Sequence, residues 1–478
     1  MRFETNWKPD RDSGIPLYRQ IIDYIRVKIE SGEWPPGSRI PTERAIASAC
    51  GVNRSTVVQA FAELTADGYI EGKSGSGTVV TLASWTKEVP KLPDWESYVK
   101  SGIHRPNQRT IQDINHAEFI PNIIRLGTGE PSPDLYPKSM ADLLRQMPLQ
   151  MSDFGYPEPR GLYKLREEIS KHMAGYGIYV SPDSVLIVSG ALQALQLIAV
   201  GLLKNGSQVL TESPSYLQSL QVFQSAGMSL SGLPMNKDGL DTAVLEHYAR
   251  SGKGTIVYTI PSFHNPTGIV MSHERRQEIY ELCVQHKLPI MEDDAYRDLW
   301  LDEPSPPPIK SLDQNGLVLY IGSMSKTLSP GLRIGWVIGP EQVIHRLADV
   351  KMQSDYGAST LSQWTVMQFL SQGLYAEHLD RVRSELRIRR SYMLQLLEQY
   401  MKGKAEWRVP RGGFYIWLRL KDGVSIPSLF EALLKEGVLI NPGYLYDKSD
   451  QNHIRLSYSY ASFEQMETGI QRLARSIP

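Results

Sequence analysis

The chain has 478 residues, 41% hydrophobic and 22% charged, with 51 basic residues against 52 acidic ones. That length exceeds one ordinary core, so two or three domains are expected, and the near-zero net charge advertises neither nucleic acid nor membrane in bulk. Any such partner has to be met locally. The two cysteines, Cys50 and Cys283, stand far apart without metal-ligand spacing, which argues against a disulfide framework and fits a reducing compartment. The polar start of the chain, and a longest apolar stretch near Leu195 to Leu203 that is interrupted by Gln196 and Gly201, predict a soluble, cytoplasmic protein without a bilayer span.

Leu17, Ile21, Ile25 and Ile29 recur at four-residue spacing after Pro16 and predict an amphipathic helix, broken by the proline-rich stretch from Gly32 to Gly37. Thr42 and Asn53 are placed to N-cap two further helices, Glu43 to Ala49 and Arg54 to Ala66, with the turn Cys50-Gly51-Val52 between them. Val57, Ala60, Phe61 and Leu64 form the buried face of the third helix. Its exposed start offers Arg54, Ser55, Thr56 and Gln59, groups able to bond phosphates or base edges in a major groove. Gly68-Tyr69-Ile70 and the glycine-rich run Gly72 to Val80 predict a two-stranded wing. A three-helix unit with a hairpin also serves for packing or protein binding, and residues 1–80 hold ten basic against ten acidic residues. The basic footprint is thus confined to Arg39, Arg44, Arg54 and Lys73, and DNA binding would need a dimer reading two half-sites.

The run P-P-G-S-R-I-P-T-E-R-A-I-A-S-A-C-G-V-N-R-S-T-V-V-Q-A-F, continuing to Ile70, resembles the winged helix-turn-helix of the GntR regulators. The resemblance implies that Arg44, Arg54, Ser55 and Thr56 lie at the DNA, with the wing tip Gly75, Ser76 and Gly77 in or beside the minor groove. Gln59 stands where several relatives carry arginine.

From Thr81 to about Asn122 the sequence is uneven, with Trp85, Pro90, Pro93, Trp95 and Pro106, and only a weak helical pattern from Asp94 to Lys100. An irregular connection of roughly 40 residues marks a domain boundary. As a coil it would span on the order of 35 Å, enough to reach a partner subunit.

Beyond it, short apolar runs alternate with helical patterns. Ile123 to Pro131 is a strand opening into a glycine loop, and Phe154 to Ile169 puts Tyr156 in a proline loop before a helix. Val185 to Val188 runs into the turn at Gly190, Ala191 and Leu192, whose N–H groups at a helix start can hold a phosphate. Gln208 to Leu210 leads to Tyr216, Thr255 to Thr259 to the loop of Asn265, and Leu288 to Met291 to Asp293 and Tyr296. Leu317 to Ile321 then opens into G-S-M-S-K-T-L-S-P-G-L-R-I-G-W, with Lys326 at its centre. Such alternation predicts a mostly parallel sheet with its site at the strands' carboxyl ends.

A lysine just past a strand end, with Ser323, Ser325 and Arg333 nearby, suits a phosphorylated aldehyde held as a Schiff base. Asp293 can keep a pyridine nitrogen protonated, Asn265 and Tyr296 can bond a phenolic oxygen, and Tyr216 can stack on the ring. Singly, each has a plainer role: a surface lysine in a Ser/Gly loop, a solvated carboxylate, a packing tyrosine. Together they are hard to explain otherwise.

From about residue 123 to the C-terminus these motifs resemble fold-type I pyridoxal-phosphate enzymes, specifically the class I/II aminotransferases. The resemblance implies Lys326 as the aldimine lysine and Asp293 as the pyridinium partner, with Asn265 and Tyr296 at the ring oxygen. Ser323, Arg333 and the turn Gly190, Ala191, Leu192 would hold the phosphate, and Tyr156 would reach the phosphate of the neighbouring subunit in a homodimer. Arg411 to Leu418 and His453 to Tyr458 read as strands of a smaller α+β domain, in which Arg455 matches the family's bidentate partner of a substrate carboxylate.

The expected architecture is α/β: a winged helix-turn-helix at 1–80, a linker at 81–122 and a pyridoxal 5′-phosphate-binding, effector-sensing and dimerising aminotransferase body at 123–478. That combination is similar to the MocR subfamily of transcription regulators. It implies operator DNA, an amino-group effector or pyridoxal 5′-phosphate itself, and a homodimer for which the linker leaves a head-to-tail arrangement open. Effector specificity falls to residues around Arg455, Tyr156 and the Gly127 loop. A working aminotransferase is the second reading, because the whole residue set is in place.

Overall fold

The computed structural model describes residues 7–73, 77–81, 93–102, 104, 106–150 and 155–477. The wing-tip residues Gly75 and Ser76, and Trp85, Pro90 and Phe154, lie outside the described residues. The chain divides into two compact units, Met1–Gly102 and Ile103–Pro478.

The first unit holds three helices, Leu17–Glu30, Glu43–Cys50 and Arg54–Ala66, followed by the antiparallel hairpin Ile70–Lys73 and Gly77–Val80. Both expected caps form: the Thr42 hydroxyl accepts from the Ala45 N–H and the Asn53 side chain from the Ser55 N–H. Gly51, at φ 66°, ends the middle helix in the left-handed conformation that glycine tolerates best. Ile21, Ile25, Ile46, Val57, Ala60 and Leu64 are fully buried between the helices, so the four-residue apolar spacing is the core of this unit. The helix Trp95–Ser101 ends it, with Asp94 capping the Ser97 N–H and Tyr98 exposed.

The second unit is built on an eight-stranded sheet. Its order is Val185–Val188, Gly335–Ile338, Val318–Ser323, Ile290–Asp293, Ile256–Thr259, Gln208–Ser213, Ser229–Asn236 and Gly239–Leu240. The five strands from Val318–Ser323 to Ser229–Asn236 pair in parallel, while Gly335–Ile338 is antiparallel to both neighbours. Successive residues of Val185–Val188 alternate between two cores. Leu186 and Val188 pack with Ala194, Leu195 and Leu347 on one face, Val185 and Ile187 with Leu165, Ile169 and Val366 on the other. A strand buried on both faces is apolar throughout, as V-L-I-V is.

Three strands run further than their apolar runs suggest, Gln208–Ser213 by three residues. Asp293 and Ser323 are the last residues of their strands rather than loop residues, because Ile321 pairs with Asp293 and Ser323 with Gly335. Backbone pairing, which hydropathy does not record, extends the ladder by two residues on each of these two. The smaller domain is an antiparallel sheet in the order Ala405–Trp407, Tyr415–Leu420, His453–Ser457, Asn441–Pro442, and the 27-residue helix Leu374–Tyr400 packs on Phe463–Arg475. No helix among the described residues is long and apolar enough to cross a membrane.

The stretch read as a linker contains an unexpected helix, Arg109–Ala117, which belongs to the second unit. Ile114 and Ala117 are buried in the smaller domain's core with Leu396 and Leu439, and Ile111 packs against it. A nine-residue helix is marginal alone and is held by this burial. Ile114→Ala is expected to cost about 2 kcal/mol locally, a factor of roughly 30 in the open population. Trypsin cleavage near Arg109 should accelerate accordingly; an unchanged cleavage rate would show that the anchor lies elsewhere.

Candidate functional site

In the first unit, Arg54, Ser55 and Gln59 are exposed and Thr56 half-exposed in the helix Arg54–Ala66, while the exposed Arg44 lies in the preceding helix Glu43–Cys50. Gly77, at φ 76°, opens the second strand of the wing. The Arg54 guanidinium is engaged by Glu43, with Nε at 3.2 Å and Nη2 at 3.0 Å from Oε2. The ion pair orients the arginine on a surface that carries no bulk charge, and at an exposed position it is worth about 1 kcal/mol or less.

In the second unit the carboxyl ends of the strands surround a cavity of about 360 Å³. Lys326, Asp293, Tyr296, Asn265, Tyr216, Ala191, Leu192, Ser323, Arg333 and Arg455 all line it. Gly190 lies immediately behind it, and Tyr156 does not line it: that side chain is 83% exposed, with its ring 5.4 Å from that of Tyr356.

Each group is positioned by identifiable contacts. The half-buried Lys326 donates from Nζ to the Gly129 carbonyl at 2.5 Å. Asp293 is 5% exposed and accepts from the Tyr258 hydroxyl at 2.8 Å. Loss of hydration pushes its carboxyl up to about 6, against the lowering effect of the Tyr258 and Ala295 hydrogen bonds. Gly190, at φ 87°, precedes the helix Ala191–Leu202, and a Cβ there would meet Arg333 Nη2 at 2.6 Å. Glycine thus leaves room for the Arg333 guanidinium across the helix start, where Nη2 donates to the Ser189 carbonyl at 2.8 Å. A guanidinium, N–H groups at a helix start and the Ser323 hydroxyl form a seat for a phosphate.

Arg455 is 4% exposed and lies with its guanidinium carbon 4.1 Å from the Tyr415 ring centroid and 5.0 Å from that of Tyr446. Its Nη1 donates to Asn265 Oδ1 at 2.7 Å and its Nη2 to the Gly127 carbonyl at 2.6 Å. The Tyr296 hydroxyl pairs at 2.8 Å with that of Tyr415 rather than with any group named from the sequence.

Tyr415, Tyr446 and Tyr258 therefore belong to the site and were not singled out by sequence reasoning; Glu118, Thr128 and Glu130 also line the cavity. For Tyr415 a signal existed, since R-G-G-F-Y-I-W-L was read as a strand of the smaller domain; the structure pairs it with the strand of Arg455. Glu118 carried no local signal, because it follows a helix inside a stretch read as linker.

Fold and site together define a DNA-binding head joined to an aminotransferase-type body. The description "Bacterial regulatory proteins, gntR family" matches residues 17–80 and "Aminotransferase class I and II" matches residues 121–473. The chain belongs to the class I and II aminotransferase family, fused to a GntR-type helix-turn-helix head: it is a DNA-binding regulator of the MocR subfamily architecture.

Relatives agree along the whole length. The chain is 52% identical over 474 residues to the HTH-type transcriptional regulator YisV of Bacillus subtilis (strain 168), covering 99% of this chain and 98% of that one. It is 35% identical over 441 residues to the HTH-type transcriptional regulator NorG of Staphylococcus aureus (strain N315), covering 91% and 98%. Among solved structures it is similar to the kynurenine aminotransferase of Pyrococcus horikoshii, crystallised in complex with PMP, with a TM-score of 0.76 and 31% identity over 81% of this chain and 98% of that one. LysN, an alpha-aminoadipate aminotransferase of Thermus thermophilus complexed with N-(5′-phosphopyridoxyl)-L-leucine, has a TM-score of 0.72 and 30% identity over 80% and 98%.

Proposed function

We propose that the chain is a cytoplasmic, homodimeric regulator that binds operator DNA through its head and senses an amino compound, or pyridoxal 5′-phosphate itself, at Lys326. The observation that carries this reading is the convergence of Lys326, Asp293, Asn265, Tyr296, Arg333 and Arg455 on one cavity.

The residues fit the cofactor. A buried carboxylate pushed up to about 6 suits a protonated ring nitrogen, the missing Cβ of Gly190 leaves the phosphate seat open, and the buried Ser325 hydroxyl in the cavity wall has no partner. Bound there, pyridoxal 5′-phosphate would supply an aldehyde to which amines add reversibly and a ring that withdraws electrons. Lys326 Nζ would hold the aldehyde carbon and Asp293 the proton on the ring nitrogen. Asn265 and the Tyr296 hydroxyl would bond the ring oxygen, while Tyr216 would stack on the ring. Ser323, Arg333 and the N–H groups of Ala191 and Leu192 would neutralise the phosphate. Arg455 would pair with an effector carboxylate, exchanging its neutral partners Asn265 and Gly127 for a charged one. Tyr156, exposed and away from its own cavity, would serve the phosphate of a partner subunit.

Effector binding would leave the Lys326 amine free, and this change at one loop is the local event that biases two arrangements of the heads. The test is a titration of the cofactor-loaded protein with amino acids and amines, with absorbance and operator affinity followed together. At least one amine is expected to move both. If neither responds to any amine or to removal of the cofactor, the sensing role fails.

The head's part is tested separately. Arg54→Ala should weaken operator binding about uniformly across operator variants and lower the salt slope by about 1, the signature of a lost phosphate contact. A loss confined to one base position would reassign Arg54 to base readout. A second reading, a working aminotransferase, is favoured by the completeness of the same residue set. Steady-state turnover of an amino donor and a keto acid, with no sequence-specific DNA binding, would establish it.

A further inference from the structure

Once the groups assigned to pyridoxal 5′-phosphate are set aside, the remaining polar wall of the cavity includes Glu118, Thr128, Glu130, Tyr415 and Arg455. Two of these five are carboxylates. Thr128 Oγ1 donates to Glu118 Oε1 at 2.7 Å, and Arg125 Nη2 lies 3.5 Å from Glu118 Oε1 and 2.5 Å from Glu130 Oε1. Arg125 is also held elsewhere: its Nε donates to Thr128 Oγ1 at 3.0 Å, and its guanidinium carbon sits 3.8 Å from the Tyr460 ring centroid.

Arg125 does not line the cavity, whereas both carboxylates do. One positive charge is therefore shared by two negative ones, and the part of the wall formed by Glu118 and Glu130 keeps a net negative charge. The same cavity holds two buried polar atoms without a partner, Arg455 Nε and Ser325 Oγ, on residues 4% and 8% exposed. Unsatisfied buried donors in a wall call for a polar ligand. Glu118 also lies in neither family match, since the first ends at 80 and the second begins at 121. A stretch at the start of the second unit supplies it, directly after the helix Arg109–Ala117.

We infer that the effector carries a second positive charge, as a diamine or basic amino acid does, and that Glu118 and Glu130 select it while Arg455 takes the carboxylate where one is present. This rests on the amine-sensing reading of the cavity. A second carboxylate on the effector would face Glu118 and Glu130 with the nearby arginine already paired, and like charges so placed exclude wrong ligands. A neutral side chain would leave Glu118 and Glu130 sharing the single positive charge of Arg125.

The test is titration of the cofactor-loaded protein with L-ornithine, L-lysine, their uncharged analogues L-norvaline and L-norleucine, and L-glutamate, read by cofactor absorbance and by calorimetry. Ornithine or lysine is expected to bind about tenfold or more tightly than the uncharged analogues, with glutamate weakest. In Glu118→Gln and Glu130→Gln the preference should fall to about threefold or less, the cofactor absorption band serving as the check on folding. Glutamate binding as tightly as ornithine, a preference retained in both variants, or a loaded protein that answers to none of these compounds overturns the inference. A wild-type protein without a Lys326-dependent cofactor band overturns instead the reading on which it rests, so the two failures are told apart.

Discussion

Lys326→Ala is expected to abolish the absorption band of the lysine-linked cofactor completely, because among the described residues no other lysine lines the cavity wall. The side chain is half-buried and hydrogen-bonded to the Gly129 carbonyl, so truncation removes a cation and a nucleophile without opening a large apolar void. Lys326→Arg gives the sharper comparison. It keeps the charge and the reach to Gly129 but cannot form the bond, so loss of the band in both variants, with thermal unfolding midpoints near that of wild type, isolates the covalent link. A band that survives Lys326→Ala would place the cofactor elsewhere and remove the basis for sensing at this lysine.

The second large effect lies at Asp293. Burial raises its carboxyl from 3.8 to about 6, so between those values the folded cofactor-free protein binds a proton that the unfolded chain does not. Its contribution to stability therefore falls as pH rises through that window, and an ionised Asp293 costs the cofactor-free fold roughly 3 kcal/mol at neutral pH. Cofactor affinity should move oppositely, dropping as pH falls below about 6, because only the carboxylate can hold the ring proton. Asp293→Asn keeps an acceptor for the Tyr258 hydroxyl and should stabilise the cofactor-free protein at pH 7. The same substitution should weaken cofactor binding by roughly a hundredfold, the worth of about 3 kcal/mol. Urea unfolding and fluorescence titration across pH 4 to 8 check both halves. Parallel rather than opposite trends would mean that Asp293 does not face the ring nitrogen.

These opposite signs describe a site whose fold is held under electrostatic tension until a cation arrives. The same logic applies to Arg455, whose guanidinium rests on Asn265 and a backbone carbonyl between two aromatic faces. Neutral acceptors satisfy a buried cation only in part, which leaves it ready for an anionic ligand.

How far each element was legible in the sequence follows from the range of the interaction that forms it. The helices of the head were readable almost to the residue, because Ile21, Ile25 and Ile29 repeat at helical spacing and Thr42, Asn53 and Gly51 punctuate the chain locally. Lys326, Asp293 and Asn265 were readable for a related reason: each stands just beyond or at the end of an apolar run, where a parallel sheet collects its chemistry. The last two residues of the strands ending at Asp293 and Ser323 were not, since their backbone partners come from other strands.

By itself, then, the sequence determined the kinds of group available and the strand ends that carry them, because hydrophobic period, capping and turn chemistry act over a few residues. Only the tertiary structure decided which groups meet. Tyr296 finds Tyr415 119 positions away, Lys326 finds Gly129 across 197, and Arg455 finds Gly127 across 328. Contacts of that separation depend on how two sheets and the connecting helix pack, and no local pattern encodes them. The same packing buries Ile114 and so brings Glu118, from a stretch that reads as a tether, into the cavity wall.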